Sequence, residues 1–530
     1  MTELFSGGHR RGVVCAPHFA TVEAGRAILA EGGNAIEAMV AMAASIAAVY
    51  PHMNHLGGDG FWLTRERSGR VRAIMAAGPA GALARPELYR DYETIPPRGP
   101  LAALTVPGAV AGWALAREAA TAHGGTLPLD VLLAPAIAQA GNGYAVTRSQ
   151  ERLTKEHIEG LQNVPGFAAT FLVDGKPPAT GAILKQTALA STLAHLAHAG
   201  LDDFYRGDIG REIAADLERI HSPVTRQDLE RYRATLAEPL RVALPSGTVY
   251  NTDAPTQGVA SLMILALFAR LNVRQAEGFD HVHGLVEATK RAFRFRDRGV
   301  TDPKYLPQPL ERALDDRFIG AEASLIDRRK AASWPPAPGK GDTIWMGAAD
   351  AGGLVVSYIQ SLYWEFGSGC VLPATGILMQ NRGASFSLQA GALNALAPGR
   401  LPFHTLNPAL AVLKDGGVMA YGCMGGDGQP QTQAALFTRH VAYREPLLEA
   451  IERPRWVLGR TWGAPRTALR LEPRFDNGLV DALMAAGHDV EVLADAYSDV
   501  MGHAGAVVLQ ANGTLEGAHD PRADGGAAGL

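Results

Sequence analysis

One threonine marks the place where the sequence could do chemistry. Thr343 follows the polar segment 339–342 and begins a run of β-branched and apolar residues that is typical of the first strand of a hairpin. A threonine hydroxyl is a weak nucleophile without a base beside it, but a threonine at a chain terminus carries its own base in the free α-amine. Cleavage of the Asp342–Thr343 bond would create that terminus. The pattern therefore favours a hydrolase that is made as one chain and activated by cutting itself.

The ordinary alternative is a structural strand that begins with threonine after a loop. The segment in front of Thr343 favours the first hypothesis. Residues 327–341 change from a charged run to tryptophan, prolines and glycines without periodicity, which predicts an exposed linker. An exposed linker is where a scissile bond is expected.

Short motifs occur in a fixed order over nearly the whole chain. Before Thr343 they are residues 32–35 (GGNA), 56–61 (LGGDGF), 106–108 (VPG) and 302–303 (DP); after it they are residues 366–369 (FGSG), 376–382 (GILMQNR), 386–387 (FS), 400–402 (RLP), 407–409 (NPA), 425–426 (GG), 453–455 (RPR) and 517–522 (GAHDPR). Each motif is weak alone. Their order and spacing together resemble the γ-glutamyltransferase family of N-terminal-nucleophile hydrolases.

Strand and helix patterns lie on both sides of Thr343, which indicates stacked sheets flanked by helices. The resemblance implies an α/β (α+β) fold, the four-layered αββα sandwich built from both halves of a self-cleaved precursor. Residues 1–342 would form a large subunit that ends in the linker, and residues 343–530 a small subunit that begins with the nucleophile. The two fragments are expected to stay together as a heterodimer. The sequence leaves open whether heterodimers assemble further.

The resemblance also implies the remaining catalytic groups. Ser361 stands where the family carries a hydroxyl that holds the nucleophile, although it could be an ordinary strand serine. Gly425 and Gly426 resemble the tandem glycines whose backbone N–H groups face the oxyanion, although a plain tight turn would look the same.

The residues at the substrate-binding positions differ from the family pattern. γ-Glutamyl enzymes hold both charges of an amino acid, with an arginine and two serines at the carboxylate and an acid at the ammonium group. The arginine position falls among Ala76 and Ala77, the serine pair is His404-Thr405, and the acid is Ser385. A buried glutamyl zwitterion would therefore leave its charges unpaired, at a cost of several kcal/mol each.

Arg382, next to Asn381, offers a different anchor because a guanidinium binds a carboxylate through two parallel hydrogen bonds. The alternative is that Arg382 bonds backbone carbonyls or pairs with an acid such as Asp427. Residues 50–52 (YPH), 57–60 (GGDG) and 425–431 (GGDGQPQ) are similar to the oxamate amidohydrolases of this family. We therefore expect an amidohydrolase for a small carboxylate-bearing substrate. γ-Glutamyl transfer or glutathione hydrolysis, cephalosporin acylase activity and an unprocessed binding protein remain as alternatives.

Composition excludes several other classes. The net charge is −4, from 49 basic and 53 acidic residues, so we expect no nucleic-acid partner. No apolar run reaches 18 residues, so no membrane association is expected, and the polar start of the chain favours a cytoplasmic protein.

Neither a metal nor a cofactor is expected. Cys15, Cys370 and Cys423 are widely spaced, which favours neither a disulfide framework nor a thiolate metal site. His52 and His55, with Asp59 nearby, could be read as metal ligands. A glycine-rich loop is a poor support for such a pair, so we favour a structural role.

Overall fold

The computed structural model describes residues 3–334, 342–459 and 467–530. The helices are α1 (Phe19–Ala30), α2 (Ala35–Val49), α3 (Ala109–Ala122), α4 (Leu129–Asn142), α5 (Arg148–Leu161), α6 (Phe167–Phe171), α7 (Thr187–Ala199), α8 (Asp203–Arg206), α9 (Asp208–Arg219), α10 (Arg226–Arg231), α11 (Gly258–Arg270), α12 (Phe279–Gly299), α13 (Asp316–Ser324), α14 (Gly428–Phe437), α15 (Leu447–Glu452) and α16 (Asn477–Ala485).

The strands are β1 (Phe5–His9), β2 (Gly12–Ala16), β3 (Asp59–Arg65), β4 (Val71–Ala76), β5 (Tyr144–Ala145), β6 (Ile183–Leu184), β7 (Thr235–Ala237), β8 (Leu240–Leu244), β9 (Gly247–Asn251), β10 (Asp342–Asp350), β11 (Val355–Tyr363), β12 (Val371–Leu372), β13 (Ile377–Leu378), β14 (Ala409–Leu413), β15 (Val418–Cys423), β16 (Trp456–Leu458), β17 (Leu469–Leu471), β18 (Val490–Val492), β19 (Ala504–Leu509), β20 (Leu515–His519) and β21 (Gly526–Gly529).

Two antiparallel sheets of seven strands form the centre of the described molecule. One has the order β21-β2-β10-β11-β3-β4-β7, and the other has the order β1-β20-β19-β15-β14-β9-β8. Side chains from both sheets share one buried core, which includes Phe61, Trp345 and Ile359 from the first sheet and Leu410 and Val507 from the second. The sheets therefore stack face to face.

Helices cover the outer face of each sheet. All fifteen residues of α2 are buried, and its core cluster also contains residues of α4 and α7. On the other side, α11, α12 and α14 share a core cluster with β14, β15 and β19. The nearly charge-free sequence of α2 explains its central place, because a helix that is apolar all round must be buried. The four-layered αββα prediction is confirmed.

The predicted hairpin is also confirmed. β10 pairs with β11, and β11 pairs with β3, so the strand that begins near Thr343 lies inside the first sheet. The register shifts at its start, because Asp342 lies opposite Tyr363 whereas Ile344 lies opposite Gln360. Thr343 therefore faces two residues of β11 across a β-bulge, a feature that often occurs beside active sites.

The sequence patterns missed the strands at the chain termini. The short apolar segment of β2 does not stand out as a strand in the sequence, yet it pairs with β10 on one side and β21 on the other. A strand that is buried on both faces shows no alternation, so such a short run carries little signal.

The predicted linker is only partly exposed. Residues 327–330 are exposed, but Lys290 Nζ donates to the carbonyl oxygen of Ala332 at 2.7 Å and Trp334 packs against the second helical layer. Residues 335–341 lie outside the described part of the chain, as does the side chain of Asp342. Among the described residues, no helix is both long and apolar enough to cross a membrane.

Candidate active site

Thr343 is buried at the start of β10, with 1% of its surface exposed. Gln429, in the first turn of α14, donates from Nε2 to Thr343 Oγ1 at 3.4 Å. Asn407 in turn donates from Nδ2 to Gln429 Oε1 at 3.1 Å. These contacts link the proposed nucleophile to the second sheet. The sequence motifs 407–409 and 425–431 contain Asn407 and Gln429, but neither residue was predicted to lie in the site.

Ser361 lies on β11 at the bulge, where two residues of that strand oppose Thr343. It is completely buried, and its Oγ accepts a hydrogen bond from the backbone N–H of Tyr363 at 2.7 Å. Ser361 is therefore not a surface serine, and its catalytic role stays a prediction. The register thus places Ser361 on the strand segment opposite Thr343.

Gly425 and Gly426 form a buried turn between β15 and α14. Their φ angles are +107° and +51°, which a glycine adopts without steric cost. The carbonyl oxygen of Gly425 accepts from Gly428 N at 2.8 Å, whereas the N–H groups of Gly425 and Gly426 donate to no group in the described chain. Buried N–H groups without partners are rare, so this turn has the donors that an oxyanion needs.

Arg382 is completely buried within the site. Its Nη1 donates to Thr405 Oγ1 at 3.4 Å, and its guanidinium carbon lies 4.0 Å from the centre of the Tyr363 ring. Nε and Nη2 have no hydrogen-bond partner in the described residues. Burial lowers the pKa of Arg382 to about 10, which still leaves the group charged at neutral pH.

The expected alternatives for Arg382 are not observed. Asp427 accepts instead from Arg296 Nη1 at 2.7 Å, and no described carbonyl oxygen accepts from the Arg382 guanidinium. A buried cation with two unused donors is costly unless something else binds it. The geometry is therefore that of an anion-binding group.

Asp59 and His404 lie beside Arg382 and are both completely buried. His404 Nε2 lies 3.0 Å from Asp59 Oδ2, and neither atom has an assigned hydrogen bond in the described residues. Burial raises the pKa of Asp59 to about 7, although Arg382 opposes this shift. Burial, followed by the Arg382 charge, holds the pKa of His404 well below its usual value, so His404 is neutral.

Asp59 is held firmly by its other oxygen. Its Oδ1 accepts from the N–H groups of Gly78 and Gly108 and from Gln380 Nε2, at 3.0 to 3.1 Å. The sequence did not identify Asp59 as part of the site. Its position after two glycines in residues 57–60 was the available signal, because the glycines let this loop approach other segments closely.

Two of the predicted substrate-binding residues are engaged by the protein. Asn381 Oδ1 accepts from Trp364 N at 3.1 Å, and its Nδ2 donates to Pro97 O at 2.9 Å. Ser385 Oγ donates to Phe403 O at 3.2 Å. These two side chains therefore bond to the protein backbone in the uncut chain. His404, Thr405 and Arg382 lie together.

A cavity of about 730 Å³ lies next to the segment where the family arginine was expected. Ala77 and Pro79 line it, as does Phe61, whose ring packs edge-on against His404. Arg231 and Arg233 reach the same cavity from α10 and the loop after it. Arginine side chains thus line this cavity, although they come from a segment that the sequence motifs did not indicate.

The two histidines considered as metal ligands have separate partners. His52 Nε2 lies 3.1 Å from Ser149 Oγ, whereas His55 Nδ1 accepts from Leu378 N at 3.1 Å. Burial lowers the pKa of His55 to about 4.

The described residues bring together a different cluster, which the sequence did not reveal. Potential ligand atoms of His283, Glu287 and His488 lie within 4.8 Å of one another. Lys290 Nζ donates to Glu287 at 2.7 Å, and the two histidine rings are hydrogen-bonded at 2.9 Å. The cluster is thus satisfied by the protein's own contacts.

Comparisons with known proteins show the family of the chain. A family model described as Gamma-glutamyltranspeptidase matches residues 21–530. The chain is 52% identical over 519 residues to "Oxamate amidohydrolase proenzyme" of Klebsiella pneumoniae, with 98% of each chain covered. It is 40% identical over 521 residues to "Glutathione hydrolase-like YwrD proenzyme" of Bacillus subtilis, again with 98% of each covered.

Among solved structures, the cephalosporin acylase from Bacillus halodurans superposes with a TM-score of 0.91 at 29% identity, covering 100% of this chain and 97% of that one. Sequence, fold and site geometry therefore lead to one conclusion. The chain belongs to the γ-glutamyltranspeptidase family and is one of its enzymes.

Proposed function

We propose that the chain cuts itself between Asp342 and Thr343 and then hydrolyses the amide of a small carboxylate-bearing molecule such as oxamate. The observation that carries this proposal is the completely buried Arg382, whose Nε and Nη2 have no partner in the described residues. The 52% identity to a relative named for oxamate supports the same substrate.

In the acylation step, the free amine of Thr343 takes the proton from its own Oγ1, which attacks the substrate amide carbon. Ser361 holds the hydroxyl, and the N–H groups of Gly425 and Gly426 stabilise the oxyanion. The tetrahedral intermediate collapses as the ammonium group of Thr343 returns a proton to the leaving nitrogen. For oxamate the leaving group is ammonia, and an oxalyl ester on Thr343 remains.

In the second step, water attacks the ester carbon while the amine of Thr343 takes one of its protons. The same N–H groups stabilise the second oxyanion. The amine then returns the proton to Oγ1 as the carbon–oxygen bond breaks, which releases oxalate and restores the enzyme. Throughout, Arg382 holds the carboxylate that is not attacked, so the amide carbon stays near Oγ1.

A γ-glutamyl compound is the second candidate substrate, because the 40% identical relative is named glutathione hydrolase-like. The residues beside Arg382 speak against it. Ser385 stands where an acid would hold the ammonium group, and it donates to Phe403 O. The acid that the described site keeps is Asp59, and it lies beside Arg382 with its Oδ2 3.0 Å from His404 Nε2, so an α-amino group would have to compete with both for it.

A cephalosporin-type acyl amide is the third candidate, supported by the structural likeness to a cephalosporin acylase. The 730 Å³ cavity has room for a longer acyl chain, although the residues that line it include Phe61 but neither Thr343 nor Arg382. Oxamate, a γ-glutamyl anilide and a glutaryl amide should be compared on the purified, self-cleaved protein. We expect the highest kcat/KM with oxamate, and faster turnover of either other amide would replace the proposal.

A further inference from the structure

One glutamine side chain joins the two sides of the candidate site. Gln257 is completely buried immediately before α11. Its Nε2 donates to the carbonyl oxygen of Thr405 at 2.6 Å and to that of Gly426 at 2.9 Å. One amide group thus ties the segment that contacts Arg382 to the turn that carries the proposed oxyanion donors.

The orientation of the Gln257 amide is fixed by a buried arginine. Arg296, at the end of α12, donates from Nη1 to Gln257 Oε1 at 2.8 Å. Because a guanidinium has donors only, the amide oxygen must face Arg296 and the amide nitrogen must face the two carbonyls. Arg296 also donates to Asp427 at 2.7 Å and lies 3.9 Å from the centre of the Phe293 ring, so it is itself held in place.

Holding these carbonyl groups sets the direction of the neighbouring N–H groups. In a trans peptide the C=O and N–H bonds point to opposite sides. The bond from Gly428 N to Gly425 O therefore turns the Gly426 N–H the other way. The next peptide is held through Gly426 O, which accepts from Gln257 Nε2 at 2.9 Å and from Gln429 N at 3.3 Å. Both glycines of the turn have positive φ angles, and the turn lies outside the strands and helices. Its conformation therefore depends on the hydrogen bonds to these two carbonyl oxygens.

We propose that Gln257 is a positioning residue that sets the distance and angle between the oxyanion donors and the carboxylate anchor. The proposal rests on the proposed function, because it assigns those roles to Gly425, Gly426 and Arg382. Gln257 and Arg296 belong to residues 1–342, whereas Thr405 and Gly426 belong to residues 343–530. After cleavage, the contact therefore becomes one between subunits, and it sets the site geometry across that boundary.

The test compares Gln257→Leu with Gln186→Leu as a matched control. Gln186 is also buried, and its side-chain hydrogen bonds in the described structure go to Ala48 O and His55 rather than to Thr343, Arg382, Gly425 or Gly426. We expect Gln257→Leu to lower kcat for the best substrate by about 10- to 100-fold, because misplacing reacting groups by about 1 Å has effects of that size. The control should keep its kcat while losing a similar amount of melting temperature.

Gln257→Glu provides a second variant in case the leucine side chain prevents folding. Glutamate keeps the size of the side chain and an oxygen that accepts from Arg296. The amide nitrogen that donates to the two carbonyl groups is replaced by a second oxygen. We expect the same loss of kcat, whereas wild-type kcat in either Gln257 variant would overturn the proposal.

Self-cleavage gives a readout that does not depend on the substrate, and the proposal includes that the oxyanion formed at the Asp342 carbonyl uses the same N–H donors. Folded Gln257→Leu should cut itself at least about tenfold more slowly than Gln186→Leu. Equal cleavage rates would overturn the positioning role even if oxamate proved to be the substrate. Slow cleavage together with no turnover of oxamate would support the positioning role and reject only the proposed substrate.

Discussion

The guanidinium of Arg382 stacks on the ring of Tyr363, with 4.0 Å between the guanidinium carbon and the ring centre. Tyr363 has a φ of +87°, a left-handed conformation that is costly for a residue with a side chain, and it lies opposite Asp342 across the hairpin. An aromatic face attracts a cation without neutralising it. The stack therefore keeps a charged guanidinium beside the proposed cleavage site, and Arg382 forms no ion pair in the described residues.

Replacing Arg382 tests the carboxylate anchor directly. Arg382→Ala should lower kcat/KM for oxamate by about 30- to 1000-fold, because it removes a charge-assisted contact from a buried site. Oxamide, in which the carboxylate is a neutral amide, should lose much less. Steady-state kinetics on both compounds would measure the difference.

Arg439→Ala is the matched control for that prediction. Arg439 is also a buried arginine, but it pairs with Glu277 and donates to Pro454 O, away from the catalytic groups. Its loss should lower stability and leave the preference for oxamate over oxamide unchanged. Equal losses on both compounds in Arg382→Ala would show that Arg382 does not recognise the carboxylate.

Self-cleavage should be visible on a denaturing gel. The 56.0 kDa chain would divide, in proportion to residue number, into fragments of roughly 36 kDa for residues 1–342 and roughly 20 kDa for residues 343–530. N-terminal sequencing of the smaller fragment should begin at Thr343. Thr343→Ala should stay whole and inactive, since it lacks the attacking hydroxyl. A wild-type protein that is active as one uncut chain would contradict the mechanism.

Activity should not require an added metal ion. A threonine nucleophile with its own amine base needs none, and the His283–Glu287–His488 cluster is already satisfied by hydrogen bonds and Lys290. Treatment with a chelator, followed by dialysis, should leave kcat unchanged. Loss of activity that zinc restores would instead identify that cluster as a metal site, with His488→Gln as the variant to examine.

Elements whose pattern is local can be read from the sequence. The helix α2 has a capping box between Asn34 and Glu37 and almost no charge, and the hairpin of β10 and β11 follows from apolar strands around a glycine turn. Thr343 could be identified because its position after a linker and before a strand is itself a local signal. Such features depend on neighbours in the chain and can be read without the fold.

Contacts between distant segments could not be read in this way. Asp59 and His404 meet only because β3 and the segment before β14 lie at the same end of the stacked sheets. The sequence suggested Asp427 as a partner for Arg382, yet Arg296 reaches it from α12. Charge and residue type indicate what a side chain can bind, whereas the topology decides which partner is within reach.

The Asp59 carboxyl group should make substrate binding depend on pH. Burial raises the pKa of Asp59 to about 7, so the group is neutral below that pH and negative above it. A negative Asp59 next to Arg382 and neutral His404 would compete with the substrate carboxylate for the guanidinium. The KM for oxamate should therefore rise above about pH 7, by up to about tenfold per pH unit for a single titrating group.

Asp59→Asn keeps an oxygen that can accept from Gly78 N but cannot ionise, so its KM should stay flat over the same range. Oxamide, which has no negative charge, serves as the internal control because its KM should not change with this titration in the wild-type protein. A KM for oxamate that rises equally in the wild type and in Asp59→Asn would assign the titration to another group and remove Asp59 from the binding site.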